Sequence, residues 1–410
     1  MKRGWRLIAI LVLVGIICAF AGPAAAADPK VLKIAFLIPL SGPVAALGDL
    51  WKKSLEIYID IINERGVKIG QDTYKIQAIY ADDQYSPQGA VAAANKVIFS
   101  DKVQFIASAS PVNAALSPLT NANKVIFVNR NANGFTGYDP KTMPYNVYSH
   151  CLAEICAHYV YTAFKATPGV KTVGQLFAVG NKGTIDEAIV RVKTFLEKNG
   201  AKVLEPEWYP IGTQDFTPYL SKMNAANIDM LSVFGPPTDV LNMAKQRFAQ
   251  GKKYPIVQTT SILNLKALVA AVGPDVLEGV VSEYDLPSAT KMTKVSAQQL
   301  ADAQKFQDIW IEKYKIPLTE ISTNAIGWPL LWVSLIVDAV QQAGTIDPDG
   351  VMKTFKGGTF DTILGKLSMT GTKKYGAPVF LGNPGTASVI KGGKEVYLGE
   401  EPMTDLDKLP

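Results

Sequence analysis

Short apolar runs alternate with helix-period segments along most of this chain, and that alternation restricts the fold more than any other feature. Val31 to Ile38 reads as a buried strand. Leu55, Tyr58, Ile59 and Ile62 recur at helical spacing, and Gly66 supplies a stop. Tyr74 to Tyr80 is a second strand, followed by a helix over Gln88 to Phe99. Strands over Val103 to Ala107 and Val125 to Val128 enclose a helix over Ala114 to Asn123. A second series runs from a helix at Leu152 to Phe164 through strands at Thr172 to Phe177, Val203 to Trp208, Met230 to Phe234 and Tyr254 to Gln258. Its helices span Ile185 to Lys198 and Val240 to Ala249, and Asp215 is placed to cap a helix through Leu220 and Met223. Strand and helix in alternation, with short connections, predict an α/β chain with parallel, helix-flanked sheets in two doubly wound halves. Beyond Val295 the pattern shifts to long helices over Ala297 to Tyr314 and Thr323 to Ala343, then to short antiparallel strands within Ile363 to Pro384.

The first residues follow a different logic. Lys2, Arg3 and Arg6 precede an apolar stretch from Leu7 to Phe20, and Ala25-Ala26-Ala27 forms an A-x-A cleavage signal before Asp28. This predicts a secretory signal peptide over residues 1–27 and export to the periplasm. The competing reading is lipid attachment at Cys18, but bulky Ile16 and Ile17 stand where such a signal needs small residues. Removing the signal leaves 383 residues, too many for one ordinary core. It also leaves 38 Lys and Arg against 36 Asp and Glu, so the formal +5 of the whole chain falls to +2. No basic tract points to nucleic acid. Of three cysteines only Cys151 and Cys156 remain after cleavage. A bridge between them needs Cys151 outside the helix; two free thiols are the other reading.

Catalytic constellations are sparse. His150, Cys151, Cys156 and His158 fit no standard zinc spacing, so they are read as packing residues and no metal or cofactor is expected. There is no G-x-S-x-G, no lysine-bearing phosphate loop and no G-x-G-x-x-G after the first strand. Asp82-Asp83 has no adjacent nucleophile and reads as a loop-capping pair. What remains are loops between strand ends and helix starts, where doubly wound sheets bind ligands. Three stand out: Ser41-Gly42-Pro43, Ser108 to Asn113, and Asn129 to Gly134. Each is rich in hydroxyls or amides beside a helix start suited to an anion; for any one of them the alternative is a plain turn or cap.

These residues carry a resemblance. IAFLIPLSGPVAALG, INERGV and YADDQYSPQGAVAAANKVI, with GTQDFTPYLSKMNAANIDMLSVFG in the second half, resemble periplasmic solute-binding proteins of branched-chain amino acid ABC transporters, the leucine/isoleucine/valine-binding family with the type I periplasmic binding fold. The likeness runs in order over residues 31 to 390. It implies two Rossmann-like lobes joined by three crossovers: residues 31–148 plus 284–360, and residues 149–283 plus 361–410. It also implies a small ligand held between the lobes, hinge closure, membrane permease subunits as partners, a monomer, and no enzymatic activity.

Carried over by position, the resemblance places the ligand-carboxylate loop on Ser108, Ser110 and Asn113, with Ser110 foremost. The next ligand loop falls on Asn131, Ala132 and Asn133, lacking the threonine of close amino-acid-binding relatives. In the second lobe, two tyrosine positions fall on Lys182 and Pro236, and the acid that holds an α-ammonium group falls on Thr260. Tyr85, Trp51 and Phe135 are candidates to stack on a ligand, and Lys182 and Arg130 suit an acidic one. Threonine is a poor ammonium partner, since a buried cation without a carboxylate costs several kcal/mol. The expected ligand is therefore a small organic acid, with an aromatic acid among the candidates. The other reading is an amino acid-like solute, with Lys182 turned to solvent and another acid meeting the ammonium. The alternatives of function are a sensor of the same fold and, further off, an exported enzyme.

Overall fold

Five consecutive buried residues, Ile34 to Ile38, mark a strand covered on both faces, the signature of a helix-flanked parallel sheet. They end β1 (Lys30–Ile38). The computed structural model describes residues 29–42, 44–110, 112–130, 138–149, 152–179, 182–210, 212–258, 265–283, 294–317, 323–401 and 407, with backbone alone at 152–156, 182–185, 187, 237, 265–267, 283 and 323–325. Residues 31–410 cluster as one compact unit.

After β1, helix α1 (Ala45–Arg65) buries Leu55, Tyr58, Ile59 and Ile62 on the predicted stripe, buries Trp51 as well, and stops at Gly66. A hairpin absent from the sequence reading follows, β2 (Val67–Ile69) paired antiparallel with β3 (Asp72–Asp82). Helix α2 (Pro87–Asn95) is capped by Ser86, which accepts the Gly89 N–H at 3.1 Å. The expected helix to Phe99 changes pitch on the way, and Lys96–Ser100 forms one wide π turn. Then come β4 (Phe105–Ser108), α3 (Asn113–Ala122), β5 (Ile126–Asn129) and β6 (Asn146–Tyr148).

The second series is α4 (Leu152–Ala166), β7 (Thr172–Ala178), α5 (Lys182–Lys198), β8 (Lys202–Val203), β9 (Glu207–Tyr209), α6 (Thr217–Ala225), β10 (Met230–Phe234), α7 (Pro237–Ala249), β11 (Ile256–Gln258), α8 (Leu265–Val272) and β12 (Val280–Glu283). The single strand expected over Val203 to Trp208 is two short ones, because Pro206 has no N–H to offer a ladder. Asp215 acts one step early: it accepts the Thr217 N–H at 2.9 Å, and Phe216 occupies the cap position.

The chain then returns to the first sheet. Helix α9 (Ala297–Tyr314) docks on α1 through the Arg65 guanidinium, which donates to both Asp302 oxygens at 2.9 and 2.7 Å. Helix α10 (Thr323–Ala343) is apolar nearly all round because it is core, burying Trp328, Leu331, Trp332, Leu335 and Ile336. Helix α11 (Pro348–Phe355) leads into β13 (Thr359–Thr362), β14 (Gly365–Thr370) and β15 (Phe380–Leu381), and then β16 (Gly385–Lys391) and β17 (Lys394–Glu401).

Among the described residues, nine strands form one sheet in the order β13-β14-β15-β6-β5-β4-β1-β3-β2. A second sheet runs β17-β16-β12-β11-β10-β7-β8, with β9 also paired to β7. This corrects the expected division of the tail. Residues 361–410 do not all belong to the second half: β14 pairs β15, and β15 pairs β6 in parallel at Phe380 and Tyr148, so the first sheet keeps the chain to Leu381. Only β16 and β17 join the second sheet, through antiparallel pairing of β16 with β12. The chain thus passes from one sheet to the other after Tyr148, after Glu283 and after Leu381. Two of these crossings touch, as the Asn383 amide donates to the Ser149 carbonyl at 3.1 Å.

One buried charge ties the second half together. Arg247 is 1% exposed, and its guanidinium donates to the carbonyls of Tyr254, Val276 and Glu278 at 2.6, 3.1 and 2.9 Å. Replacing it with methionine keeps bulk but orphans three carbonyls. Arg247→Met is expected to cost about 2–4 kcal/mol in urea unfolding; an unchanged midpoint would show that water replaces the guanidinium without penalty.

Candidate functional site

The register of the first sheet brings four strand ends level. Leu37 of β1, Ser108 of β4, Asn129 of β5 and Tyr148 of β6 stand side by side in parallel pairs. Every loop that leaves these ends therefore opens on one edge, where the N–H groups of following helices are unpaired within the helix.

Two loops at this edge are tied to each other. The Leu40 N–H and the Ser41 hydroxyl donate to Asp82, at 2.9 and 2.6 Å, and the Asp83 N–H donates to the Ile38 carbonyl at 3.2 Å. Asp82 is the loop cap that its sequence context suggested. Its carboxyl lies below the usual range, because the bonds from Ser41, Gln84 and Leu40 outweigh its partial desolvation. In the segment IAFLIPLSGPVAALG, Gly48 lets α1 approach the strand end: a Cβ there would stand 1.8 Å from the Pro39 carbonyl oxygen.

Gln84 and Tyr85 are both left-handed, with φ of 53° and 52°, a conformation that side chains other than glycine rarely take. The aspartates hold them there. The Gln84 N–H donates to Asp82 and the Tyr85 N–H to Asp83, at 3.0 and 2.9 Å. Paired non-glycine strain of this kind concentrates at ligand sites. It leaves the Tyr85 ring 39% exposed at the strand edge. Burial raises the Tyr85 hydroxyl, while the positive charge of nearby Arg130 pulls it back. Arg130, first residue after β5, lies 4.5 Å over the Trp328 ring of α10.

Ser108 and Ser110 are fully buried. The Ser110 N–H donates to the Ser108 hydroxyl at 3.2 Å, and that hydroxyl makes a long contact of 3.5 Å to Asp83. The Ser110 hydroxyl lies close enough to Asp83 to lower its pKa but completes no well-formed hydrogen bond. No side chain caps the N-terminus of α3 just beyond it. Asn113 is differently placed. Its carbonyl oxygen accepts from Ser117 and Asn146, at 3.1 and 3.3 Å, and its amide nitrogen donates to Tyr148 at 3.4 Å, so it belongs to an interior amide network.

Not every expected residue reaches this edge. Trp51 is 2% exposed and packs edge-on against Trp332 at 6.0 Å; it is core and not a ligand wall. Asn131, Ala132, Asn133, Phe135 and Thr260 lie outside the described residues. Lys182 opens α5, with only its backbone described, and Pro236 is the cap residue of α7. Both stand where the parallel strands of the second sheet end, beside Ala178 and Phe234.

At that second edge the sequence reading missed a buried polar group. The Tyr209 hydroxyl faces Asp239 in the first turn of α7, and burial pushes both acids up. Gly235 is required beside them, since a Cβ there would come 1.8 Å from the Tyr209 oxygen. Gln258, ending β11, is fully buried with neither amide atom hydrogen-bonded. Tyr209 falls one residue past the strand expected over Val203 to Trp208, and nothing local marked its partner three residues after Pro236.

Among the described residues, no group of three or more His, Cys, Asp or Glu is placed to hold a metal ion. His150 and Cys151 lie outside them. His158 sits on α4 with its ring 5.7 Å from Tyr161 and against Gly385. Burial, then the charges of Arg191 and Lys165, bring it down to about 4. The unfolded chain takes up this proton near the ordinary histidine value, and the folded chain does so only well below it. Folding stability therefore falls by about 2–3 kcal/mol as pH drops through that window. In His158→Gln, unfolding measured along the same pH series is expected to lose that part of the slope; an identical slope would assign it elsewhere.

Comparison with known proteins agrees with this architecture. A leucine-, isoleucine-, valine-, threonine- and alanine-binding protein of Pseudomonas aeruginosa is 25% identical over 377 residues, covering 90% of this chain and 92% of its own. A Leu/Ile/Val-binding protein of Rhizobium johnstonii is 27% identical over 361 residues, covering 85% and 89%. Among solved structures, a solute-binding protein of an ABC transporter from R. palustris, in complex with 4-hydroxybenzoate, superposes with a TM-score of 0.70 at 20% identity, over 93% of this chain and all of the other. A leucine-binding protein of Thermotoga maritima gives 0.67 at 20% identity, over 92% and 100%. The two helix-flanked sheets and their crossings are the type I periplasmic binding fold. With residues 31–379 matching the family model described as periplasmic binding protein, the chain belongs to that family.

Proposed function

We propose that this chain is an exported receptor that captures a small organic acid between its two halves and hands it to the permease of an ABC importer. The observation that carries the reading is the Ser110 hydroxyl, buried without a well-formed hydrogen bond beside the uncapped N-terminus of α3, a natural seat for a carboxylate. Tyr85 and the Arg130–Trp328 pair at the same edge suit a planar, anionic solute. Pro236 and Lys182 supply the opposing wall, and the lobes divide as residues 31–148 with 294–381, and 152–283 with 385–401. Closing about the crossings requires no bond-making residue; it needs only that both walls touch the solute, so that the closed state binds it better. Export rests on the N-terminal pattern of residues 1–27 and on the family's periplasmic setting.

Relatives bear on the ligand in two ways. Several are named for leucine, isoleucine and valine, and several solved neighbours hold benzoate or hydroxybenzoates. Threonine at the ammonium position favours the second class here. In a thermal-shift series on the secreted chain, benzoate or 4-hydroxybenzoate is expected to raise the midpoint by a few degrees, as about 100-fold saturation over Kd contributes about 2.7 kcal/mol. Ser110→Ala should weaken the best acid about tenfold. Stabilisation by leucine or valine, with none by acids lacking the amine, would overturn the ligand class.

A further inference from the structure

The proposed carboxylate seat already has a carboxylate beside it. Asp83 is fully buried just past β3, which β1 separates from β4, the strand that ends at Ser108. Its Oδ1 is taken by the Tyr85 N–H, and its Oδ2 has the 3.5 Å contact from Ser108. The charged groups around it offer little relief. Asp82 on the same strand adds negative charge, β1 presents only the Ile38 carbonyl, and the β4 loop brings the uncharged Ser108 and Ser110. Arg130, from the end of β5, acts on the Tyr85 hydroxyl and rests on Trp328. Burial therefore pushes Asp83 above the usual carboxylate range, against the pull of the nearby Ser110 hydroxyl and of the bonds from Tyr85 and Ser108.

Counting protons shows what an acid would meet. A serine hydroxyl has one proton to donate. If Ser110 gives it to Asp83, it turns a lone pair toward the solute, which repels a carboxylate. If it gives it to the solute, Asp83 loses a donor and two anions share one small buried volume, a state that drives one of them to take a proton. The solute carboxylate keeps the uncapped N-terminus of α3 as well, so the proton belongs on Asp83. Protonated, Asp83 donates to a serine oxygen, and the Ser110 hydroxyl is released toward the solute.

Resting on the proposed acid-binding reading of Ser110, we propose that a carboxylate solute binds together with one proton from solvent, which Asp83 accepts. Asp83 then acts as a positioning residue, setting the direction of the Ser110 hydroxyl, and makes capture of an acid tighter at lower pH. The affinity falls by up to about tenfold per pH unit wherever Asp83 is ionised in the free receptor and protonated in the complex.

Calorimetric titration with benzoate in buffers of differing ionisation enthalpy reads the proton directly. Net uptake approaching one proton per benzoate is expected, with none for neutral benzamide, and Asp83→Asn should abolish uptake and flatten the pH profile of Kd. Benzoate binding with no uptake at any pH from about 5.5 to 8 would overturn the proposal and leave the solute class standing. Undiminished uptake in Asp83→Asn would also overturn it, by moving the proton to another group. Failure of benzoate to bind would remove the acid-binding reading and this inference with it. The wild-type buffer series decides the matter even if Asp83→Asn does not fold.

Discussion

Parallel pairing at one register is the constraint from which the rest of the first half follows. A parallel strand must be re-entered from the same end, so each crossover helix starts at the same edge. With Leu37, Ser108, Asn129 and Tyr148 in line, loops that are far apart in sequence become neighbours. Asp83 touches Ser108 across 25 residues because β3 and β4 both end there. The hydrophobic cores behind the sheet hold this edge in place; Ile34 to Ile38, Phe105 and Phe127 are all fully buried.

Polar chemistry is concentrated at that edge, where backbone strain is also stored. Gln84 and Tyr85 would relax out of their left-handed conformation if nothing held them, and the two aspartates hold one N–H each. The same pair thus shapes the rim and places a buried carboxylate beside Ser110. In the second half, the buried acid Asp239 and the unbonded amide of Gln258 show a comparable concentration at strand ends. Both halves keep apolar interiors and place some of their unsatisfied polar atoms, those of Ser110, Asp239 and Gln258 among them, where loops begin.

Elements decided by local pattern were legible in the sequence. Met230–Phe234, Ala297–Tyr314 and Thr323–Ala343 form over the residues their periodicity marked. Proline broke the strand expected through Val203, and a π turn ended α2, both through local backbone effects too small to show in apolar spacing. The tail was misdivided for a different reason. Whether Phe380 pairs with Tyr148 or joins the other sheet is a contact across 232 residues, and no local signal encodes it. At the candidate site, the loop from Ser108 to Asn113 was legible at the strand edge because loop position in a doubly wound sheet is regular. Trp51 was misread because a helix face says nothing about which side meets solvent until Trp332 is packed on it. The proximity of Asp83 to Ser110 required the register itself.

The account stands or falls on where a solute carboxylate sits. A crystal structure of the secreted chain with benzoate addresses this directly. The account predicts the carboxylate within hydrogen-bond distance of the Ser110 hydroxyl and the start of α3, with the ring touched from the second sheet's edge near Pro236. Benzoate lodged elsewhere, or an ordered solute contacting one sheet's edge alone, would contradict it.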